Sequence, residues 1–195
     1  MTNPDFTHLL RIAEELRENP PPLIGKIEIS RGEIVMMMSP STRHGFNANR
    51  VQVQLIHQIP DELIAAAEPD ITDPVHGIRR TPDVAVVDAE ALKADEKALS
   101  AHAVHAVFEI VSPSNPENDH KDKVVDYAQM RIPIYVIIDP RDGTVLVHDG
   151  LSEAGHYDGL QSHRFGDTVR VGPWTLRTDG LEPYGPTVMA GYPKP

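Results

Sequence analysis

The chain has no cysteine among its 195 residues, which removes disulfides, zinc–thiolate sites and thiol nucleophiles together. Any metal it binds must be held by oxygen or imidazole. An excess of basic charge is missing too: 18 Lys and Arg stand against 29 Asp and Glu, a formal net charge of -11. Such a chain does not coat nucleic acid through a generally basic surface. A local basic cleft remains compatible with that balance, and Arg43, Arg50, Arg79, Arg80, Lys121, Lys123 and Arg131 all fall in the middle of the chain. No apolar run is long enough to span a membrane. The opening Met1-Thr2-Asn3-Pro4-Asp5 has neither the basic start nor the apolar centre of a signal peptide. A cytoplasmic location with no membrane partner is expected.

What is present reads as an ordinary globule, with 40% hydrophobic and 24% charged residues and a length that fits one domain. Phe6, Leu9, Leu10, Ala13 and Leu16 recur at helical spacing between Asp5 and Glu18, and Asn19-Pro20-Pro21-Pro22 stops that helix. Two strands, Lys26 to Ser30 and Glu33 to Met38, flank the hairpin connection Ser30-Arg31-Gly32. A second helix is expected from Ser39-Pro40-Ser41-Thr42 to Pro60, and strands at Leu63 to Ala67, Asp83 to Val87 and Val104 to Val111. Asn115-Pro116 or Asn118 starts a further helix with an apolar stripe of Val124, Val125, Ala128 and Ile132. Ile134 to Ile138 and Thr144 to Val147 follow as a hairpin, and the turn-rich remainder reads as a peripheral β extension.

Glu109 is the residue that breaks this pattern, because it interrupts an otherwise buried strand, Ala103-Val104-His105-Ala106-Val107-Phe108-Glu109-Ile110-Val111. An ionised carboxylate there needs a metal or a cation. Strand alternation sets Asp83 with Ala85 and Val87, and Glu109 with His105, Val107 and Val111. If the two strands pair, the two acids converge. With the backbone carbonyl of Ile110 they form a hard oxygen set suited to Mg²⁺ or Mn²⁺, with positions left for water and a phosphate oxygen. Two acids followed by a helix-borne lysine point to metal-assisted phosphodiester cleavage. The competing reading of Glu109 is a structural ion pair with Arg79 or Arg131, and that of Asp83 is a turn residue before a strand.

The order Pro82-Asp83, Glu109-Ile110-Val111 and then a lysine on the next helix resembles the PD-(D/E)XK nuclease superfamily. Several further features resemble the bacterial Uma-type family, a group assigned as restriction endonucleases. They are Phe108-Glu109-Ile110-Val111-Ser112-Pro113-Ser114, Asp119 with Lys123 and Tyr127 at four-residue steps, Ile134-Tyr135-Val136-Ile137-Ile138-Asp139-Pro140, and Met38-Ser39-Pro40 before His44. Val111 stands where the superfamily lysine would be, and the resemblance implies that Lys123 substitutes for it. Regular α-helical phase instead puts Lys121 on the face of Val125, Ala128 and Ile132, so both lysines remain candidates on geometry. The matching motif makes His44 a candidate for ligation, phosphate binding or proton relay, and Glu33 a weaker one.

The resemblance implies an α/β (α+β) fold of restriction-endonuclease-like form, a mixed central β-sheet flanked by helices with an N-terminal helix and a C-terminal β extension. A single domain spanning 1–195 is expected, with a nuclease-like core at 23–150, the β extension at 151–183 and a flexible tail at 184–195. The implied activity is metal-dependent endonucleolytic hydrolysis of DNA. Asp83 and Glu109 would hold Mg²⁺ or Mn²⁺, and Lys123 and His44 would assist. The rivals are a weakly active or inactive nuclease-fold module that binds or regulates, and a hydrolase of a small phosphate ester. A homodimer would supply two sites for two strands.

Overall fold

The computed structural model describes residues 4–190 and 192. Helix α1 (Pro4–Glu18) leads into the hairpin of β1 (Ile24–Ser30) and β2 (Glu33–Met38). The hairpin turns at Arg31 and Gly32, with φ of 52° and 77°. Two successive positive φ values give the turn twist that two-residue hairpins favour. Next come α2 (Thr42–Ile56), β3 (Leu63–Ala67), β4 (Ile71–Asp73), β5 (Ile78–Arg80), β6 (Val84–Asp88), α3 (Ala89–Lys93), β7 (Leu99–Ser100) and β8 (Val104–Ile110). A π-helical turn (Asn118–Asp122) runs directly into α4 (Lys123–Gln129). The chain continues through β9 (Tyr135–Asp139), β10 (Thr144–Leu151), β11 (Tyr157–Arg164), the hairpin of β12 (Thr168–Val171) and β13 (Trp174–Arg177), and α5 (Pro186–Met189).

A six-stranded sheet in the order β11-β10-β9-β8-β6-β3 forms the centre, and a five-stranded sheet in the order β2-β1-β5-β4-β7 lies beside it. In the central sheet β8 and β9 are parallel while their outer neighbours are antiparallel, so the sheet is mixed. A parallel step needs a crossover, and the π turn with α4 supplies it. Alternation along β8 sends Ala106, Phe108 and Ile110 into a core shared with Val51 and Leu55 of α2. Val107 goes to a second core with Tyr127, Met130 and Ile132. Helix α1 packs Phe6 and Ala13 on Ile27 and Ile29 of β1. The fold is therefore the mixed sheet with flanking helices that the sequence implies, including its N-terminal helix.

The region after residue 150 is not peripheral. Strand β11 is hydrogen-bonded into the central sheet, and Val169, Val171, Trp174 and Leu176 of the last hairpin belong to the same core as Phe108 and α2. Their alternate apolar residues cover the sheet face that α2 leaves open. Nor does a loose tail begin at Tyr184. That residue is 9% exposed, and its hydroxyl donates to the carbonyl of Val111 at 2.9 Å. Residues 191 and 193–195 of the expected tail lie outside the described residues. Because Trp174 is 6% exposed within the main core, Trp174→Ala should cost about 3–5 kcal/mol of stability. Urea unfolding checks this, and a cost under about 1 kcal/mol would make the hairpin an appendage after all.

Candidate active site

Asp83 stands one residue ahead of β6, and the β6–β8 register pairs Val84 with Phe108 and Ala85 with Val107. Continued by one step, that register sets Asp83 across from Glu109. Both are nearly out of water, at 4% and 2% exposure, and both line one cavity of about 250 Å³. Asp83 accepts the backbone N–H of Ile110 at 2.8 Å through Oδ2 and the ammonium of Lys26 at 2.6 Å through Oδ1. Glu109 Oε1 takes Lys123 Nζ at 2.7 Å and the Tyr127 hydroxyl at 2.6 Å. Neither expected arginine partners Glu109. Arg79 is engaged with Glu14 and Asp70, and Arg131 donates to the carbonyls of Ser152 and Glu153.

Of the two candidate lysines, the structure brings Lys123 to the acids. Lys123 is 1% exposed and also meets Asp119 Oδ1 at 2.9 Å, whereas Lys121 lies in solvent against Glu117. Lys121 and Val125 share a face, as helical phase predicts, but that face is turned to solvent. The inward face of α4 is the one that carries Lys123, Asp126, Tyr127 and Ala128, directly after the π turn Asn118–Asp122. Val125, expected in the apolar stripe, is 45% exposed.

His44 opens the first turn of α2, where the Ser41 side chain caps its backbone N–H at 3.3 Å. That start aims the imidazole at the cavity, with Nε2 3.0 Å from Asp83 Oδ2 and Nδ1 3.5 Å from the Tyr184 hydroxyl. The His44 ring is off-line for a hydrogen bond to Asp83, and Nε2 has no hydrogen-bond partner among the described residues. Glu33 is exposed on β2 and does not line the cavity. Ser112 and Ser114 do line it.

Lys26 was not legible as a site residue, although it lines the cavity. Its strand alternates Lys26, Glu28 and Ser30 against Ile27 and Ile29, a pattern that reads as a solvent face. Instead that face meets other charges. Arg80, 1% exposed, bridges Glu28 at 2.6 Å and Asp126, and Ser30 donates to Asp126 at 2.6 Å. Glu28 also accepts the backbone N–H of Thr81 at 2.9 Å. Asp119, which entered the sequence reading only as part of a spacing, is the second anchor of Lys123.

The electrostatics follow from this crowding. Burial pushes the Asp83 carboxyl up, but Lys26 above all, with His44 and Lys123, holds it well below the usual range. For Glu109 burial prevails: with the negative charges of Asp83 and Asp119 it outweighs Lys123 and Lys26, and the carboxyl is pushed up to about 7. Burial disfavours the charge on Lys123 as well, yet Asp119 and Glu109 keep its pKa above the ordinary lysine value. Lys26 behaves likewise against Asp83 and Glu109. Five carboxylates (Glu28, Asp83, Glu109, Asp119 and Asp126) thus meet the buried cations Lys26, Arg80 and Lys123, with the exposed Arg31 at the edge of Asp126 and the His44 imidazole beside Asp83.

The carboxylates of Asp83 and Glu109 and the carbonyl of Ile110 are hard oxygen donors of the kind that suits a hard divalent cation. Among the described residues no group of three or more acidic or imidazole side chains is set to enclose an ion.

Residues 13–176 match a family model described as "Putative restriction endonuclease". The chain belongs to the Uma2 family. Its fold is similar to the crystal structure of a putative nuclease belonging to DUF820 from Anabaena variabilis, with a TM-score of 0.65 at 18% identity over 87% of this chain and 96% of that one. At that identity the likeness concerns the fold. No curated protein matches the chain.

Two outcomes test this site. Arg80→Met leaves Glu28 and Asp126 without their shared cation, and the loss should be about 3–5 kcal/mol; a cost near zero in denaturant melts would show the cluster to be solvated. Glu109, whose pKa is raised on folding, holds its proton in the native state where the unfolded chain has lost it. Native stability should therefore fall as pH rises from the ordinary glutamate value to about 7. Measured in chelator, the melting temperature of Glu109→Gln should gain on wild type between pH 5 and 8, both values being roughly chosen to bracket that window. A constant difference between the two proteins would remove the raised carboxyl.

Proposed function

We propose that this Uma2 family member is a metal-dependent nuclease that hydrolyses DNA phosphodiester bonds. The observation that carries the reading is the convergence of Asp83, Glu109 and Lys123 in one cavity. Asp83, Glu109 and the Ile110 carbonyl would hold Mg²⁺ or Mn²⁺, which supplies Lewis acidity at the phosphate and a water of lowered pKa.

The remaining work falls to side chains. Lys123, clamped by Glu109 and Asp119, stays an ammonium at neutral pH and cannot take a proton from water. Its role is to offset negative charge growing on the phosphate. Lys26 stays charged for the same reason and orients Asp83. His44, with an unbonded Nε2 beside Asp83, is the group able to relay a proton between the cavity and solvent. Tyr127 fixes the rotamer of Glu109 through its hydroxyl. The chain's -11 charge agrees with a substrate drawn in by the metal site rather than by a basic surface.

The test is plasmid nicking in Mg²⁺ or Mn²⁺. Asp83→Ala, Glu109→Ala and Lys123→Ala should each lower the rate by at least about a hundredfold. Cleavage by all three at the wild-type rate would mean a contaminating nuclease and end the proposal.

A further inference from the structure

Tyr184 lies past residues 13–176, the part that matches the family model, yet the chain around it is built into the site. Leu181 is 5% exposed within the main core. The backbone of Glu182 exchanges two hydrogen bonds with the Asn47 side chain of α2, both at 2.9 Å. At Tyr184 itself the backbone N–H donates to the carbonyl of Pro140 at 2.8 Å. These contacts fix the Tyr184 ring between α2 and the segments that follow β8 and β9.

Two groups meet its hydroxyl. The carbonyl of Val111, two residues past Glu109, accepts from it at 2.9 Å, and His44 Nδ1 is 3.5 Å away. Burial, with the negative charges of Asp83, Asp139 and Asp119, pushes the hydroxyl's pKa up, so the group keeps its one hydrogen. Val111 is the nearer acceptor and takes that hydrogen, which leaves the phenol oxygen able only to accept. A bare Nδ1 would set one lone pair against another there, whereas an Nδ1–H finds a partner. A neutral imidazole with its hydrogen on Nδ1 has none on Nε2. Nε2 is the nitrogen beside Asp83, whose Oδ2 at 3.0 Å is off-line and does not hold a hydrogen on it.

Resting on the phosphodiesterase reading above, we propose that Tyr184 is a positioning residue of the site. Its hydroxyl keeps hydrogen on His44 Nδ1 and so makes Nε2 the nitrogen that works at Asp83 and the cavity. Through Val111 the same hydroxyl ties the imidazole to the strand that carries Glu109.

The test reads the His44 ring nitrogens by long-range proton–nitrogen NMR of the labelled full chain in chelator, at a pH above the ordinary histidine range. Nδ1 should carry hydrogen in the wild type and lose it in Tyr184→Phe, which keeps the ring and removes the acceptor. A bare Nδ1 in the wild type overturns the proposal, and so does an Nδ1 signal that Tyr184→Phe leaves unaltered. Plasmid nicking is the second arm. Tyr184→Phe should lower the maximal rate at least about tenfold and add nothing to the loss in His44→Ala. An unchanged rate, or equal slowing with and without His44, also defeats the positioning role. If the wild type nicks no DNA, the nuclease reading fails while the nitrogen signals still decide the role of Tyr184.

Discussion

A carboxylate removed from water must find a cation or give up its charge, and the placement of Glu109 imposes that choice on everything around it. Lys123 answers it directly, Asp119 holds Lys123 in place, and Tyr127 locks the shared oxygen. A separate buried set, in which Arg80 joins Glu28 to Asp126, ties β1 and β5 to α4. Strands and helix are thus fastened by ions in a dry space, where one missing partner leaves a charge exposed to no solvent. The two sheets and α4 hold their relation through these contacts as well as through the apolar cores.

How much of this was readable depended on whether a feature was local. The main strands of the central sheet followed from apolar runs bounded by turn residues, because β6, β8 and β9 are buried on both faces. Strands of two or three residues, such as β4, β5 and β7, are too short to show a period and read as loop. Strand β11 carries Gly159, Gln161 and Ser162; its place in the sheet is fixed by its hairpin with β10, not by its composition. The final hairpin showed its alternation plainly, but nothing in one sequence says which face of which sheet such a hairpin will cover.

The site divided along the same line. Glu109 announced itself as a charge inside an apolar run, and Asp83 gained meaning from it. Lys123 came from family resemblance, because the inward face of α4 carries Lys123, Asp126 and Tyr127, a set that hydrophobic spacing does not register. Lys26 was invisible for a physical reason: a polar face on a strand looks the same whether it meets water or a set of buried charges. Only the fold, by laying β1 against β5 and under α4, decides between them.

The sharing of cations connects stability with chemistry. Every carboxylate of the cluster touches a cation, but Lys123 is divided between Glu109 and Asp119 and Arg80 between Glu28 and Asp126. Burial drives the Glu109 carboxyl upward to about 7, while Lys26 drives Asp83 the other way. Acids with opposed shifts that line one cavity are what the proposed function requires, one carboxyl held ionised and the other poised near neutrality. A divalent cation held as proposed would restore the stability given up at Glu109. The acidic balance of the chain, which argues against a generally basic binding surface, is compatible with that proposal, because such a cation would act locally at the cavity.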